Sequence, residues 1–228
     1  METVISAPSV PTLEVLGTAA RFPVRRVYCV GRNYADHARE MGADPKREVP
    51  FFFGKPQDAL VPGGGDIPYP PATANLHHEV ELVVALAQGG SNLSLEQAEA
   101  AIFGYAVGID LTRRDLQAAA KEKGQPWDMA KGFDHSAPVS AITPVNHPGQ
   151  FSSGAIWLSV GGSERQRGDL ADMIWRVPEV ISHLSGLVTL YPGDLIFTGT
   201  PAGVGALQRG DQVLCGIAGL GELRIRIV

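Results

Sequence analysis

Glu79 and Glu81 stand one residue apart inside the apolar run His77-His78-Glu79-Val80-Glu81-Leu82-Val83-Val84-Ala85-Leu86. The run reads as a buried strand rich in valine and leucine. Side chains alternate along a strand, so the two carboxylates share a face, with alpha carbons roughly 6.5–7 Å apart at about 3.3 Å of rise per residue. Like charges on a mostly buried face repel and are costly to desolvate. A hard divalent cation removes both costs, because it takes carboxylate oxygens. The plain alternative is the wet face of an edge strand, balanced by surface arginines. Asp110 ends a second apolar run, I-F-G-Y-A-V-G-I-D over 102–110, just ahead of a helical segment. If the two strands are neighbours, Asp110 adds a third oxygen ligand. Three carboxylates with waters suit Mg²⁺ or Mn²⁺, and Ca²⁺ in a roomier site. Otherwise Asp110 caps the helix that follows.

Other residues carry chemistry if they meet this cluster. His37 and Glu40 are three apart on a short predicted helix and share a face. A carboxylate there orients the imidazole and stabilises its charged form, as a general base needs; the alternative is a polar surface pair. Lys55, between Gly54 and Pro56, and Lys131, between Ala130 and Gly132, are isolated cations in apolar, turn-like settings. Such lysines meet an anion or are solvated turn residues. Arg113 and Arg114 open a helix, where a cation opposes the dipole, so one of them is expected to face an anion. Gln117, one turn on, can line the same pocket. The turn Thr198-Gly199-Thr200-Pro201-Ala202-Gly203-Val204-Gly205 can present N–H groups and the Thr200 hydroxyl to an oxyanion. It lacks the Gly-Lys-Ser/Thr ending of a phosphate loop. His77 and His78 lack zinc-motif spacing and read as supporting or packing residues.

The elements that position these groups are mostly short strands. Strands are expected over 26–31, 51–53, 77–86, 102–110, 139–142, 156–160, 194–198, 212–217 and 222–228. Helices are expected over 33–41 with Asn33 as N-cap and Gly42 as stop, and over 94–101 with a Ser94/Gln97 capping box. Further helices are expected over 112–123 with Thr112 as N-cap and Gly124 as stop, and over 172–184, kinked at Pro178. Glycines in 102–110 imply something packed close to the backbone. The sum is an α+β fold dominated by strands. Residues 1–21 form an N-terminal arm or short leading segment, and 22–228 a single catalytic domain.

Composition narrows the function. The chain has 228 residues, 44% of them apolar, and a net charge of −5 with no basic stripe, which argues against a nucleic-acid partner. No apolar stretch reaches the ~18 residues of a membrane span, and residues 1–12 lack a secretory signature. A cytoplasmic location is expected. Cys29 and Cys215 lie in separate apolar segments and read as core thiols.

Taken in order, these segments resemble the fumarylacetoacetate hydrolase family. The resemblance rests on Gly31-Arg32-Asn33-Tyr34 through His37 and Glu40, Lys55-Pro56, His77-His78-Glu79-Val80-Glu81, and Gly104-Tyr105 to Asp110. Thr112-Arg113-Arg114-Asp115, the stretch 127–133 holding Lys131, and the Gly199-Thr200-Pro201 turn complete it. Residues 21–30 and Pro50-Phe51-Phe52-Phe53 look closest to fumarylpyruvate and acylpyruvate hydrolases. The resemblance implies a mixed, rolled β-sheet with peripheral helices, and a homodimer. It implies Mg²⁺ or Mn²⁺ on Glu79, Glu81 and Asp110, a His37–Glu40 pair on a lid helix, and a pocket lysine at Lys131. The implied substrate is a small 2,4-dioxo acid. Such an acid chelates a Lewis-acidic dication through its carboxylate and 2-oxo group, and the pyruvate enolate expelled on C3–C4 cleavage is thereby stabilised. His37 would activate water, and Lys131 with Thr200 would hold the proximal carboxylate or the oxyanion. Arg32, Lys55, Arg113 or Arg114 would meet a distal carboxylate. Two other readings stand beside it: a decarboxylase or isomerase of oxaloacetate or a related 2-oxo diacid, and a non-catalytic metal- or anion-binding module.

Overall fold

A computed structural model of the chain describes residues 3–40 and 48–228. Its centre is the strand Val80–Leu86, buried along its whole length. It pairs antiparallel with Ile102–Ile109 on one side and with Asp194–Phe197 on the other. The sheet continues through Arg26–Gly31 to Phe51–Lys55 at one end, and through Ala137–Val139 to Leu60–Pro62 at the other. Two of its pairings are parallel, Asp194–Phe197 with Arg26–Gly31 and Ala137–Val139 with Leu60–Pro62. The result is the mixed, rolled sheet of an α+β fold, with short helices at its periphery.

Both faces of this sheet are covered, which is why its central strands read as unbroken apolar runs rather than alternating ones. Leu82, Val84 and Ile109 pack with Ile156, Leu158, Val213 and Ile225 of a second, five-stranded sheet, and with the helix Val177–Ser185. Val83, Ala85, Ala106 and Phe197 point the other way. They pack against Leu13, Val15, Phe22 and Val24, contributed by the hairpin Thr12–Glu14/Arg21–Pro23 and the residues beside it. Cys29 and Cys215 are buried free thiols, and burial raises the pKa of each.

Several elements differ from the sequence expectation. The run 77–86 is not one strand. Leu76–His78 pairs with Thr112–Arg113 and Gly205–Leu207, and a new strand begins at Val80. The chain changes sheets at Glu79 because the Gln166 side chain takes the Val80 N–H (3.2 Å). Asn33 does not cap a helix. Its amide donates to Trp175 O (2.9 Å) and Thr198 O (2.8 Å) and accepts from Trp175 N, and the helix spans Ala35–Glu40. Met41 and the expected stop at Gly42 lie outside the described residues. Thr112 pairs with His77 and donates its hydroxyl to Asp110 O, so the helix starts later, at Arg114–Glu122. Pro178 sits in the first turn of Val177–Ser185, where its missing N–H costs nothing, and kinks nothing. The hairpin strand Ser163–Asp169 went unforeseen because its sequence, SERQRGD, is polar throughout. The Ser94/Gln97 capping box is present.

Gly104 and Gly108 show what packs against 102–110. A β-carbon at Gly104 would lie 2.4 Å from Thr143 O, and one at Gly108 would lie 2.5 Å from Val83 Cγ2 and 2.7 Å from the Phe197 ring. At Gly54 the nearest atom would be 3.7 Å away. Gly108→Ala is therefore expected to cost about 1–3 kcal/mol in urea denaturation. Gly104→Ala, which meets rigid backbone, should cost at least as much, and Gly54→Ala should be close to neutral.

Candidate active site

Glu81 lies on Val80–Leu86 directly opposite Gly108. Asp110 follows the end of the neighbouring strand, where its N–H donates to Glu79 O (2.8 Å). The pairing of these two strands thus gathers three acids from two stretches of chain. One oxygen from each of Glu79, Glu81 and Asp110 falls within 4.8 Å of the others, and all three residues are buried.

Cations surround the cluster. Lys131, on the short helix Asp128–Lys131, donates to Glu79 Oε2 (2.8 Å), Asp110 Oδ2 (2.6 Å) and Thr112 Oγ1 (2.6 Å). Burial disfavours its charge, but Asp110 and Glu79 outweigh that and raise its pKa. Arg114 donates to Glu79 Oε1 and to Gln117 Oε1 (2.6 Å). Burial likewise opposes ionisation of Glu79, yet Lys131 and Arg114 hold its carboxyl well below the usual range. Glu81 is the exception. Burial, then Asp110 and Glu79, push its pKa well up, against Lys131 and a hydrogen bond from Gly199 N (2.7 Å). Asp110 Oδ1 has no hydrogen-bond donor; Lys55 Nζ stands 2.8 Å away, off the angle a hydrogen bond needs. A carboxyl driven toward its neutral form and a buried oxygen short of a donor, within one all-oxygen set, fit a hard divalent cation held by Glu79, Glu81 and Asp110.

A recess opens over Glu79 and Glu81, and the structure brings Arg32, His37, Arg114, Gln117, Lys131 and Thr200 to its lining. Glu40 stands behind His37. Its Oε2 is 3.2 Å from Nδ1, and it also accepts from Gly203 N, which ties the short helix to the glycine-rich turn. Lys55 does not reach the recess. Its side chain is enclosed beneath the cluster, donating to Leu111 O (3.1 Å) and Lys131 O. Arg113 also points elsewhere, to Met129 O, with its guanidinium 4.4 Å from the Phe133 ring centre.

The two histidines brace the site rather than line it. Burial, then Arg114, lower the His77 pKa to about 4. The ring is neutral and accepts from Arg114 Nε at Nδ1 (3.3 Å), leaving Nε2 to donate to Asn75 Oδ1 (2.9 Å). His78, also lowered by burial, donates from Nδ1 to Gln166 Oε1 (2.9 Å). With its oxygen occupied, Gln166 turns its NH₂ to Thr200 Oγ1 (2.8 Å) and Pro201 O (2.9 Å). Thr200 accepts there, so its O–H is left to donate elsewhere.

Gln166 was not anticipated; nothing in a polar hairpin marks one glutamine as buried. Lys121, Phe53 and Trp127 also line the recess unforeseen. Lys121 had a signal: Arg114, Gln117 and Lys121 follow i, i+3, i+7 spacing and share one helix face. Gln166→Leu strands the His78 and Val80 donors in the interior, and should lower stability by about 1–3 kcal/mol per unsatisfied group in thermal or urea unfolding.

Residues 26–228 match the fumarylacetoacetate hydrolase C-terminal family. The chain is 43% identical over 205 residues to the mitochondrial oxaloacetate tautomerase FAHD1 of Arabidopsis thaliana, covering 89% of this chain and 90% of the relative. It is 41% identical to the mitochondrial oxaloacetate decarboxylase of Dictyostelium discoideum, over 86% of this chain and 90% of the relative. Among solved structures, fumarylpyruvate hydrolase from Pseudomonas aeruginosa, in complex with Mn²⁺ and pyruvate, superposes with a TM-score of 0.95 at 51% identity, covering 100% of this chain and 99% of that one. No helix among the described residues is long and apolar enough to cross a membrane. The chain belongs to the fumarylacetoacetate hydrolase family, whose named relatives are enzymes acting on small oxo acids.

Proposed function

We propose that this protein is a metal-dependent hydrolase that cleaves the C3–C4 bond of acylpyruvates, with fumarylpyruvate giving fumarate and pyruvate. It would use Mg²⁺ or Mn²⁺ and act as a homodimer, as the family resemblance implies. The observation that carries the reading is the meeting of a His–Glu pair and a buried carboxylate cluster at one recess. Bound by Glu79, Glu81 and Asp110, the dication supplies Lewis-acid polarisation of the substrate oxygens.

The side chains supply the rest. Glu40 holds the His37 Nδ1 as a donor, so Nε2 is the nitrogen free to take a proton from water. The hydroxide adds to C4. The C3–C4 bond breaks with its electron pair left on C3, and the proton taken by His37 is returned there. Glu40 stabilises the imidazolium in between. The Lys131 ammonium offers positive charge to the oxyanion at C4, and the Thr200 hydroxyl with Arg114 and Gln117 orients the oxo-acid end. Lys55 is the counter-ion of Asp110.

A second reading is favoured by the names of the curated relatives: tautomerisation or decarboxylation of oxaloacetate. That chemistry needs no water attack, so the two part at His37. Chelation should abolish acylpyruvate cleavage, and Mg²⁺ or Mn²⁺ should restore it. Glu79→Gln should prevent restoration. His37→Ala should slow acylpyruvate hydrolysis by about 10²–10⁴-fold and slow oxaloacetate decarboxylation, which activates no water, far less. A wild-type protein that leaves every acylpyruvate intact while converting oxaloacetate would replace the first reading with the second.

A further inference from the structure

The recess holds more positive charge than the metal-proximal end of an oxo acid needs. Of the cations considered for a distal carboxylate, Lys55 is enclosed beneath Asp110, Arg113 lies on Phe133, and Arg114 is engaged by Glu79, Gln117 and His77. Arg32 and Lys121 remain. Both line the recess, and among the described residues neither meets a carboxylate.

The backbone is arranged to present Arg32. Its φ is +60°, a left-handed conformation uncommon outside glycine, asparagine and aspartate. Such outliers gather at functional sites and point toward a role. The preceding Gly31 leaves room for the Phe51 ring, which a β-carbon there would strike at 2.0 Å. That ring in turn lies 5.6 Å from the Arg32 guanidinium. Lys121 comes from the third turn of the helix face that carries Arg114 and Gln117. Burial, then Arg32 and Arg114, lower its pKa, so the three cations share one field. The recess also carries an aromatic wall. Phe53 and Trp127 line the recess with ring centres 5.8 Å apart, and Phe51 meets Trp127 edge-on at 5.2 Å.

We infer that Arg32 and Lys121 form a distal carboxylate subsite, with Phe53 and Trp127 as the apolar wall beside the linking carbons, and that this subsite selects 2,4-dioxo acids ending in a second carboxylate over those ending in a methyl group. The inference rests on the proposed reaction for its substrate class, but its test does not need turnover. Lys121 joins Arg32 there as a specificity residue on the helix face of Arg114 and Gln117.

The probe is a pair of unreactive ligands of equal length, 2-oxoheptanedioate and 2-oxoheptanoate, titrated calorimetrically into Mn²⁺-loaded protein. The wild type should bind the diacid at least about tenfold more tightly, a charge-assisted contact's worth. Lys121→Gln and Arg32→Gln should each reduce that preference, and the double variant should remove it, with affinity for the monoacid unchanged. In kinetics, Lys121→Gln should lower kcat/KM for fumarylpyruvate about tenfold and leave acetylpyruvate untouched. Equal binding of the two ligands by the wild type, or a full preference surviving in the double variant, overturns the subsite. Lys121 is exposed on a helix, so its variant folds even if the Arg32 change disturbs the turn. Diacid preference without cleavage of any acylpyruvate would support the subsite and reject the proposed reaction; cleavage without preference would do the reverse.

Discussion

Three carboxylates taken out of water within 4.8 Å of one another are the constraint on which this structure turns. Uncompensated, such a cluster would unfold the region or protonate, since burial and mutual repulsion both work against charge. The chain answers with Lys131 and Arg114 from one side and Lys55 from below. Lys131 and Arg114 hold the Glu79 carboxyl well below the usual range against its burial, whereas burial, Asp110 and Glu79 drive Glu81 toward its neutral form. The cluster is thus stabilised incompletely, and the remaining demand for positive charge is what a dication would meet.

Such a cluster needs a rigid support, and the sheet provides it. Val80–Leu86 and Ile102–Ile109 are locked together by their ladder and buried on both faces, so Glu81 and Asp110 cannot separate without opening the core. Gly108, opposite Glu81, leaves the room that the Val83 methyl and the Phe197 ring occupy against the strand. Around that platform the turns and the short helix of the site are braced by hydrogen bonds. Asn33 ties the turn before the His37 helix to Trp175 and Thr198, Glu40 ties that helix to Gly203, and Gln166 links His78 to Thr200. Side chains held this way lose little freedom when a ligand arrives, which is the physical content of preorganisation.

The acids and Lys131 were legible because each violates the pattern around it, a charge in an apolar run or a lone lysine between small residues; His37 and Glu40 sit in a polar segment and stood out only through their shared helix face and the family resemblance. Most strands and the Ser94 cap were legible for the converse reason, that local pattern and tertiary demand agree. The misreadings at Asn33 and Thr112 share one cause. Both are good N-cap residues, and in both the side chain found tertiary partners instead of the helix end, Trp175 and Thr198 for Asn33 and Lys131 for Thr112. Pro178 was misjudged because the helix begins at Val177 rather than at 172, which turned a helix starter into an apparent kink.

Composition and spacing alone determined that this is an α+β chain with an apolar sheet carrying acids, because side-chain alternation and burial are local rules. That those acids, the His37–Glu40 pair and Lys131 serve one chemistry was implied by the resemblance to the fumarylacetoacetate hydrolase family, not by spacing. Only the tertiary structure decided which cations face the recess and which lie beneath it. Lys55, Arg113, Arg114, Arg32 and Lys121 carry the same charge in sequence, and their roles differ only through what each one touches after folding. Distance and enclosure, which set how strongly a charge acts, exist only in three dimensions.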